Sequence, residues 1–273
     1  MSIQYKQIDF CLLIPCYNNF EGLIASLKTV IYEPGDFLTV VVDDGSEISF
    51  SADSIRSRVN PGYTIVVLRE EHNKGITDAL NQGLKWIEEN TDARYVARLD
   101  CGDLCSPDRF QKQVGYMRTH PDIGLLGSWC VFENKITGFR YNYITPTNHE
   151  QIKKAIYFRN VFIHPTVIFE TKLLKKIGYY PYQFLHAEDY AFFWLWTQFS
   201  RTAILDEFLV TCEINSEGIS LKNRRQQLKN RLKVIARFGT NPFLKIIAIL
   251  RISALRLLPN RLVLQLKNPG TRQ

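Results

Sequence analysis

No acid occurs after residue 221. From Lys222 to Gln273 there are 13 Lys and Arg and no Asp or Glu, whereas the first 221 residues hold 21 Lys and Arg against 27 acids. The net charge of +7 is therefore a basic tail on a mildly acidic body. Such a tail suits a polyanionic partner, either a membrane surface or a nucleic acid. The sequence also lacks G-x-G-x-x-G and G-x-x-x-x-G-K-[ST], which excludes a dinucleotide fingerprint and a phosphate loop of the usual kind. Internal repeats and low-complexity linkers are absent. MSIQYKQIDF has no basic region leading into a long apolar run, so a secretory signal is not expected and a reducing cytoplasm is. Of six cysteines, Cys101 and Cys105 stand near knuckle spacing, but no second Cys/His pair at zinc spacing follows. Small buried apolar thiols are the simpler expectation.

What is present is a globular composition, 45% hydrophobic, enough for a sizeable core. Phe10 to Pro15, Leu38 to Val42 and Tyr63 to Leu68 are short apolar runs that predict buried parallel strands. Apolar residues at helical spacing predict helices over Glu21 to Ile31 and Ile76 to Asn90. A fourth strand begins at Tyr95. Its helix runs through Met117, with Ser106 as a cap and Pro107 at the first helical position. Strand and helix alternate through the first 120 residues, the pattern of a doubly wound α/β sheet. Later, Gly124 to Phe132, Thr166 to Phe169 and Ile204 to Cys212 predict strands. Asn148 to Tyr157 and the aromatic run after Tyr190 predict helices.

Each early strand ends in polar residues: Tyr17 and Asn18, then Asp43 and Asp44, then Asn73 to Gly75, then Asp100 to Asp103. The carboxyl ends of strands are where open α/β sheets bind ligands. Asp100 and Asp103 repel one another unless a cation lies between them, and a hard divalent ion with oxygen ligands is the usual answer. A capped turn with solvated acids is the plainer alternative.

Several of these stretches together resemble the family 2 inverting glycosyltransferases of bacterial surface-polysaccharide or lipooligosaccharide type, with their GT-A fold. They are LLIPCYNN, TVVVDDGS, NKGITDALNQGL, ARLDCGD with SPDRFQKQ, HPTVIF and AEDYAFFWLW, in the family's order across about residues 9 to 215. The resemblance implies a Rossmann-like, mainly parallel sheet over 1–221, and transfer of a sugar from a nucleotide diphosphate, a UDP-sugar, to a hydroxyl of a glycan or lipid-linked acceptor. It places Pro15, Tyr17, Asp43, Asp44, Asn73, Lys74 and Gly75 on the donor, with Asp44 at the uracil ring. An Asx turn is the alternative use of one of the two acids at 43 and 44.

The same resemblance makes Asp100 to Asp103 the motif for Mg2+ or Mn2+, with Asp103 and Asp100 as candidate ligands. The family's middle acid, usually credited with direct ligation, is Gly102 here. Arg98 is a candidate for the diphosphate and His164 for phosphate or acceptor. Asp189, with Glu188 beside it, resembles the general base that takes the acceptor's proton. Two acids placed at a helix N-terminus for its dipole are the alternative. A sugar-nucleotide binding protein with weak or lost catalysis is the second functional reading, favoured by Gly102.

The extension over 222–273 contains FLKIIAILRISALRLL, sixteen residues with Lys245, Arg251 and Arg256. A spanning helix needs about 20 mainly apolar residues, and central arginines are costly. The segment suits the headgroup layer of an anionic membrane, which would put the protein on the cytoplasmic side of the cell membrane as a peripheral protein. A helix packed on the body with a basic outer face is the alternative. Nucleic-acid binding is not expected, because no recognition motif accompanies the charge.

Overall fold

A computed structural model describes residues 4–59, 62–214 and 223–257. The chain opens with β1 (Phe10–Cys16), α1 (Phe20–Leu27), β2 (Phe37–Asp43), α2 (Ala52–Val59), β3 (Thr64–Arg69), α3 (Ile76–Asn90) and β4 (Tyr95–Arg98). These strands lie in the order β3-β2-β1-β4, all parallel, with β1 and β2 in register from Phe10↔Phe37 to Cys16↔Asp43. Every β2 residue is buried, as continuous apolar runs require when helices cover both sheet faces. Alternation sorts the β1 side chains: Cys11 and Leu13 join the core with α3, whereas Phe10, Leu12 and Ile14 join the core with α1.

The second half completes the sheet. It comprises β5 (Leu104–Cys105), α4 (Arg109–Thr119), β6 (Ile123–Glu133), β7 (Arg140–Tyr143), α5 (His149–Ala155), β8 (Ile168–Glu170), α6 (Leu174–Ile177), α7 (Glu188–Phe199) and β9 (Arg201–Glu213). The order continues β4-β8-β6-β9-β5, with β7 paired to β6. β8 runs antiparallel to both β4 and β6, while β6 and β9 are parallel from Ile123↔Arg201 to Glu133↔Glu213. The sheet is therefore mixed, and its parallel half carries the strand ends that form the site.

Several boundaries differ from the sequence expectation. α1 stops at Leu27 rather than Ile31, because the Thr29 hydroxyl and amide both bond Ser26 O and tighten the last turn. α4 begins at Arg109, not at Pro107. Ser106 bonds Asp108 Oδ1 instead of capping, and the Arg109 amide closes a turn on Ser106 O. β8 starts at Ile168 because His164–Thr166 form a 3₁₀ turn around Pro165. α5 ends at Ala155 rather than Tyr157; Asn148 caps it by accepting from the Gln151 amide at 3.0 Å.

Two basic helices follow, α8 (Arg224–Phe238) and α9 (Pro242–Leu257). Leu228, Val234 and Ile235 of α8, and Ala248 and Ile252 of α9, are buried in the same core as α7. The division expected at 221/222 lies outside the described residues, as does everything after Leu257.

Candidate active site

The carboxyl ends of β1, β2 and β4, with the loop after β3, converge on one edge of the sheet. Asp43 and Asp44 divide their work. Asp43, fully buried, accepts from the Ser46 amide at 3.0 Å and pairs with Arg69, so it is the Asx-turn acid. Asp44 instead accepts from the backbone amides of Lys74, at 2.8 Å, and Gly75, at 3.0 Å. Burial raises its pKa above the usual carboxylate value, and the two amides oppose that shift. Asp44 thus ties the β2 end to the Asn73–Gly75 loop, and Gly75 takes φ +95 to begin α3. The neighbouring loop is stitched in by Asn18, whose amide donates to Ser46 Oγ at 2.9 Å. Pro15 is half-buried, Tyr17 is exposed beside it, and the Lys74 ammonium pairs with Glu70.

Asp100 lies at the end of β4, half-buried, and Arg98 donates to its Oδ1 at 2.7 Å. Arg98 has no accessible surface. Its other hydrogen bonds go to Leu13 O, Leu99 O and His164 Nε2, so it lies beneath the cleft floor and orients Asp100 from below. His164 also meets the Tyr180 hydroxyl, at 2.8 Å from Nε2, and its Nδ1 lies 4.0 Å from Asp100 Oδ2. Burial first, then the Arg98 charge, depresses the His164 pKa to about 3, so the ring is neutral. Asp103 closes the turn after β4, its amide donating to Asp100 O at 3.1 Å. It is buried, its Oδ1 accepts from the Glu213 amide at 2.8 Å, and burial together with the Asp100 charge raises its pKa well above the ordinary value.

Glu188 and Asp189 open α7. Asp189 Oδ1 accepts from its neighbour's amide, Tyr190 N, at 2.6 Å, and Oδ2 accepts from Asn160 Nδ2 at 2.8 Å. Burial pushes the Asp189 carboxyl up to about 7, and the charges of Glu188 and Asp100 add to it. The Glu188 pKa is also raised, again chiefly by burial, and its Oε2 is buried without a hydrogen-bond partner. Burial raises the pKa of the Tyr180 hydroxyl, and the charges of Asp189 and Asp100 add to it. Nothing in the sequence marks Asn160. A lone asparagine in a polar loop carries no signal of its own, and only the fold brings it to Asp189.

The fit of a divalent cation can be tested on the donor set. Among the described residues no three His, Cys, Asp or Glu side chains form a ready-made cage. Magnesium-type ions keep several waters and bind through one or two carboxylates plus substrate phosphates. Asp100, accessible and held by Arg98, meets that requirement.

A family model described as "Glycosyl transferase family 2" matches residues 11–178. The chain is 32% identical over 186 residues to the amylovoran biosynthesis glycosyltransferase AmsE of Erwinia amylovora, a match covering 66% of each chain. It is 29% identical over 160 residues to an Escherichia coli UDP-Gal:alpha-D-GlcNAc-diphosphoundecaprenol beta-1,3-galactosyltransferase, covering 57% of this chain and 54% of that one. The chain thus spans about two thirds of the first relative's length and about half of the second's. In three dimensions it superposes on the mannosyltransferase PcManGT of Pyrobaculum calidifontis, solved with GDP-Man and Mn2+, with TM-score 0.63 and 17% identity over 97% of this chain and 76% of that one.

Proposed function

The chain belongs to glycosyltransferase family 2, and from that premise we propose that it moves a sugar from a UDP-sugar to a hydroxyl of a glycan or lipid-linked acceptor, with inversion at the anomeric carbon. The observation that carries this reading is the Asp189 carboxyl at the N-terminus of α7, held by Asn160 and the Tyr190 amide, with burial pushing its pKa up to about 7. An acceptor hydroxyl becomes a competent nucleophile only when its proton has somewhere to go, and a base titrating near neutrality suits that role. Asn160 holds one Asp189 oxygen and the Tyr190 amide holds the other, which fixes the direction of the remaining lone pairs.

On the donor side, Asp44 has lone pairs left to accept the uracil imide N–H, and Tyr17 and Pro15 flank it. Asp100 would hold the divalent cation with the donor's diphosphate. When bound, that cation neutralises charge building on the leaving diphosphate. Arg98 keeps Asp100 oriented from below. A UDP-sugar and a lipid-linked acceptor are supported by the likeness to the E. coli galactosyltransferase, and a divalent cation by the Mn2+ in the mannosyltransferase complex.

The test is release of UDP from a panel of UDP-sugars with a lipid-linked acceptor, alone and with Mn2+. Release that requires acceptor and is lost in Asp189→Asn supports transfer. No release from any donor, with UDP still bound by calorimetry, supports instead the second reading of a sugar-nucleotide binding protein, which Gly102 favours. The same reading assigns the chain to the cytoplasmic face of the membrane, where a lipid-linked acceptor lies.

A further inference from the structure

Gly102 occupies the place where the family's resemblance puts a metal-binding acid, and the structure shows what fills the space. Gly102 has φ +100, and a Cβ built on it would lie 2.6 Å from Glu213 Oε2. No side chain fits there without displacing that carboxylate, and the backbone angle disfavours any residue but glycine. Glu213 ends β9, far along the chain from the motif, and two contacts bring it here. Its amide is anchored by Asp103 Oδ1 at 2.8 Å, and β9 runs beside β6 as far as Glu133↔Glu213.

A cation already sits on this carboxylate. The Lys135 ammonium, from the β6–β7 turn, lies 3.2 Å from Glu213 Oε2 and 3.4 Å from Gly102 O. A carboxylate and a backbone carbonyl converging on one positive centre make an oxygen-rich cation site, the ligand chemistry of a hard divalent ion. The Glu213 and Lys135 side chains are accessible, at 37% and 44% exposed.

We propose that Glu213 supplies the carboxylate that position 102 lacks, so that the donor complex's divalent cation is held by Asp100 and Glu213, with Lys135 as the cation that occupies the site until the metal–nucleotide arrives. This assignment rests on the sugar-nucleotide reading above. It also makes Asp103 a positioning residue, which fixes the β9 end through the Glu213 amide.

The experiment titrates Mn2+ into the protein with saturating UDP and follows the free-ion signal by electron paramagnetic resonance. UDP binding without metal is measured separately by calorimetry. Glu213→Gln, which keeps the shape and removes the charge, is expected to weaken Mn2+ binding about tenfold or more, the size of effect that ligand-shell changes commonly have. Lys135→Met is expected to strengthen it, because no ammonium then has to be displaced. Unchanged Mn2+ affinity in Glu213→Gln overturns the proposal, with thermal unfolding confirming that the variant is folded. So does Lys135→Met losing UDP binding in the absence of metal, which would make the lysine itself the permanent partner of the diphosphate. If the unaltered protein binds no UDP at all, the sugar-nucleotide reading fails instead, and the two failures are distinct.

Discussion

At the scale of a single residue, Asp189 is the proposed base, and its protonation should set the pH behaviour. An acid whose pKa is raised by folding holds its proton to higher pH, so the base form appears only as pH rises through about 7. The kcat/KM profile is expected to climb with an apparent midpoint near that value. Removing the neighbouring charge in Glu188→Gln should move the climb to lower pH, because Glu188 raises Asp189. A midpoint that stays put separates the two acids. Asp189→Asn should cost about 10²- to 10⁴-fold in kcat, the usual worth of a positioned base.

Stability gives an independent reading of the same residue. The ionised carboxylate is disfavoured in the folded state, so its contribution falls as pH rises between about 3.9 and 7, by at most about 4 kcal/mol. Thermal unfolding at pH 5 and at pH 8.5 should therefore show Asp189→Asn gaining on the unaltered protein at the higher pH. Equal shifts at both pH values would mean that the carboxylate is well solvated. Asp44 and Asp100 are visible in the sequence as acids where apolar runs stop, whereas Asp189 is singled out only by the family resemblance. The groups around them are not visible there: Asn160 bonds Asp189, Tyr180 meets His164 and the Glu213 amide meets Asp103, and each contact arises only through tertiary packing.

Among the elements, the turn after β2 is tightly held. Gly45 has φ +72, and a Cβ there would lie 2.4 Å from the His72 carbonyl carbon, a backbone atom that cannot swing away. Gly45→Ala should push the Asn73–Gly75 loop off the Asp44 carboxylate. The expected cost is about 1–3 kcal/mol of stability together with weaker UDP binding, read by denaturant melts and calorimetry. Unchanged UDP binding would detach this loop from the donor. The parallel strands β1 to β4 could be read in advance because strands covered on both faces are uninterrupted apolar runs. β7 could not, since Arg140–Tyr143 is polar and pairs only along one edge of β6. Nor could α2, where Ile55 alone is buried and no apolar stripe marks the helix. β5 is two residues long and exists only because β9 runs past it.

For the whole molecule, the charge asymmetry and the shape of α9 point the same way. One face of α9 packs on the body through Ala248 and Ile252. The opposite face presents Phe243, Ile246 and Leu250, each at least 60% exposed, at helical spacing. Among the described residues no helix is long and apolar enough to cross a membrane. An exposed apolar stripe on a basic helix would suit the acyl–headgroup boundary of an anionic bilayer, where apolar area and charge attraction act together. The full chain is therefore expected to float with phosphatidylglycerol vesicles at low salt, to float far less with phosphatidylcholine alone, and to be partly released by high salt. Phe243→Ser with Leu250→Ser removes apolar area and leaves the charge intact. About 2–4 kcal/mol of lost burial predicts at least ~30-fold weaker partitioning, with UDP binding unchanged because α9 lies outside the donor cleft. Binding that falls with salt but ignores both substitutions would make the attachment purely electrostatic and remove α9 from it. No flotation on anionic vesicles at low salt would leave the basic helices as packing elements of the body alone.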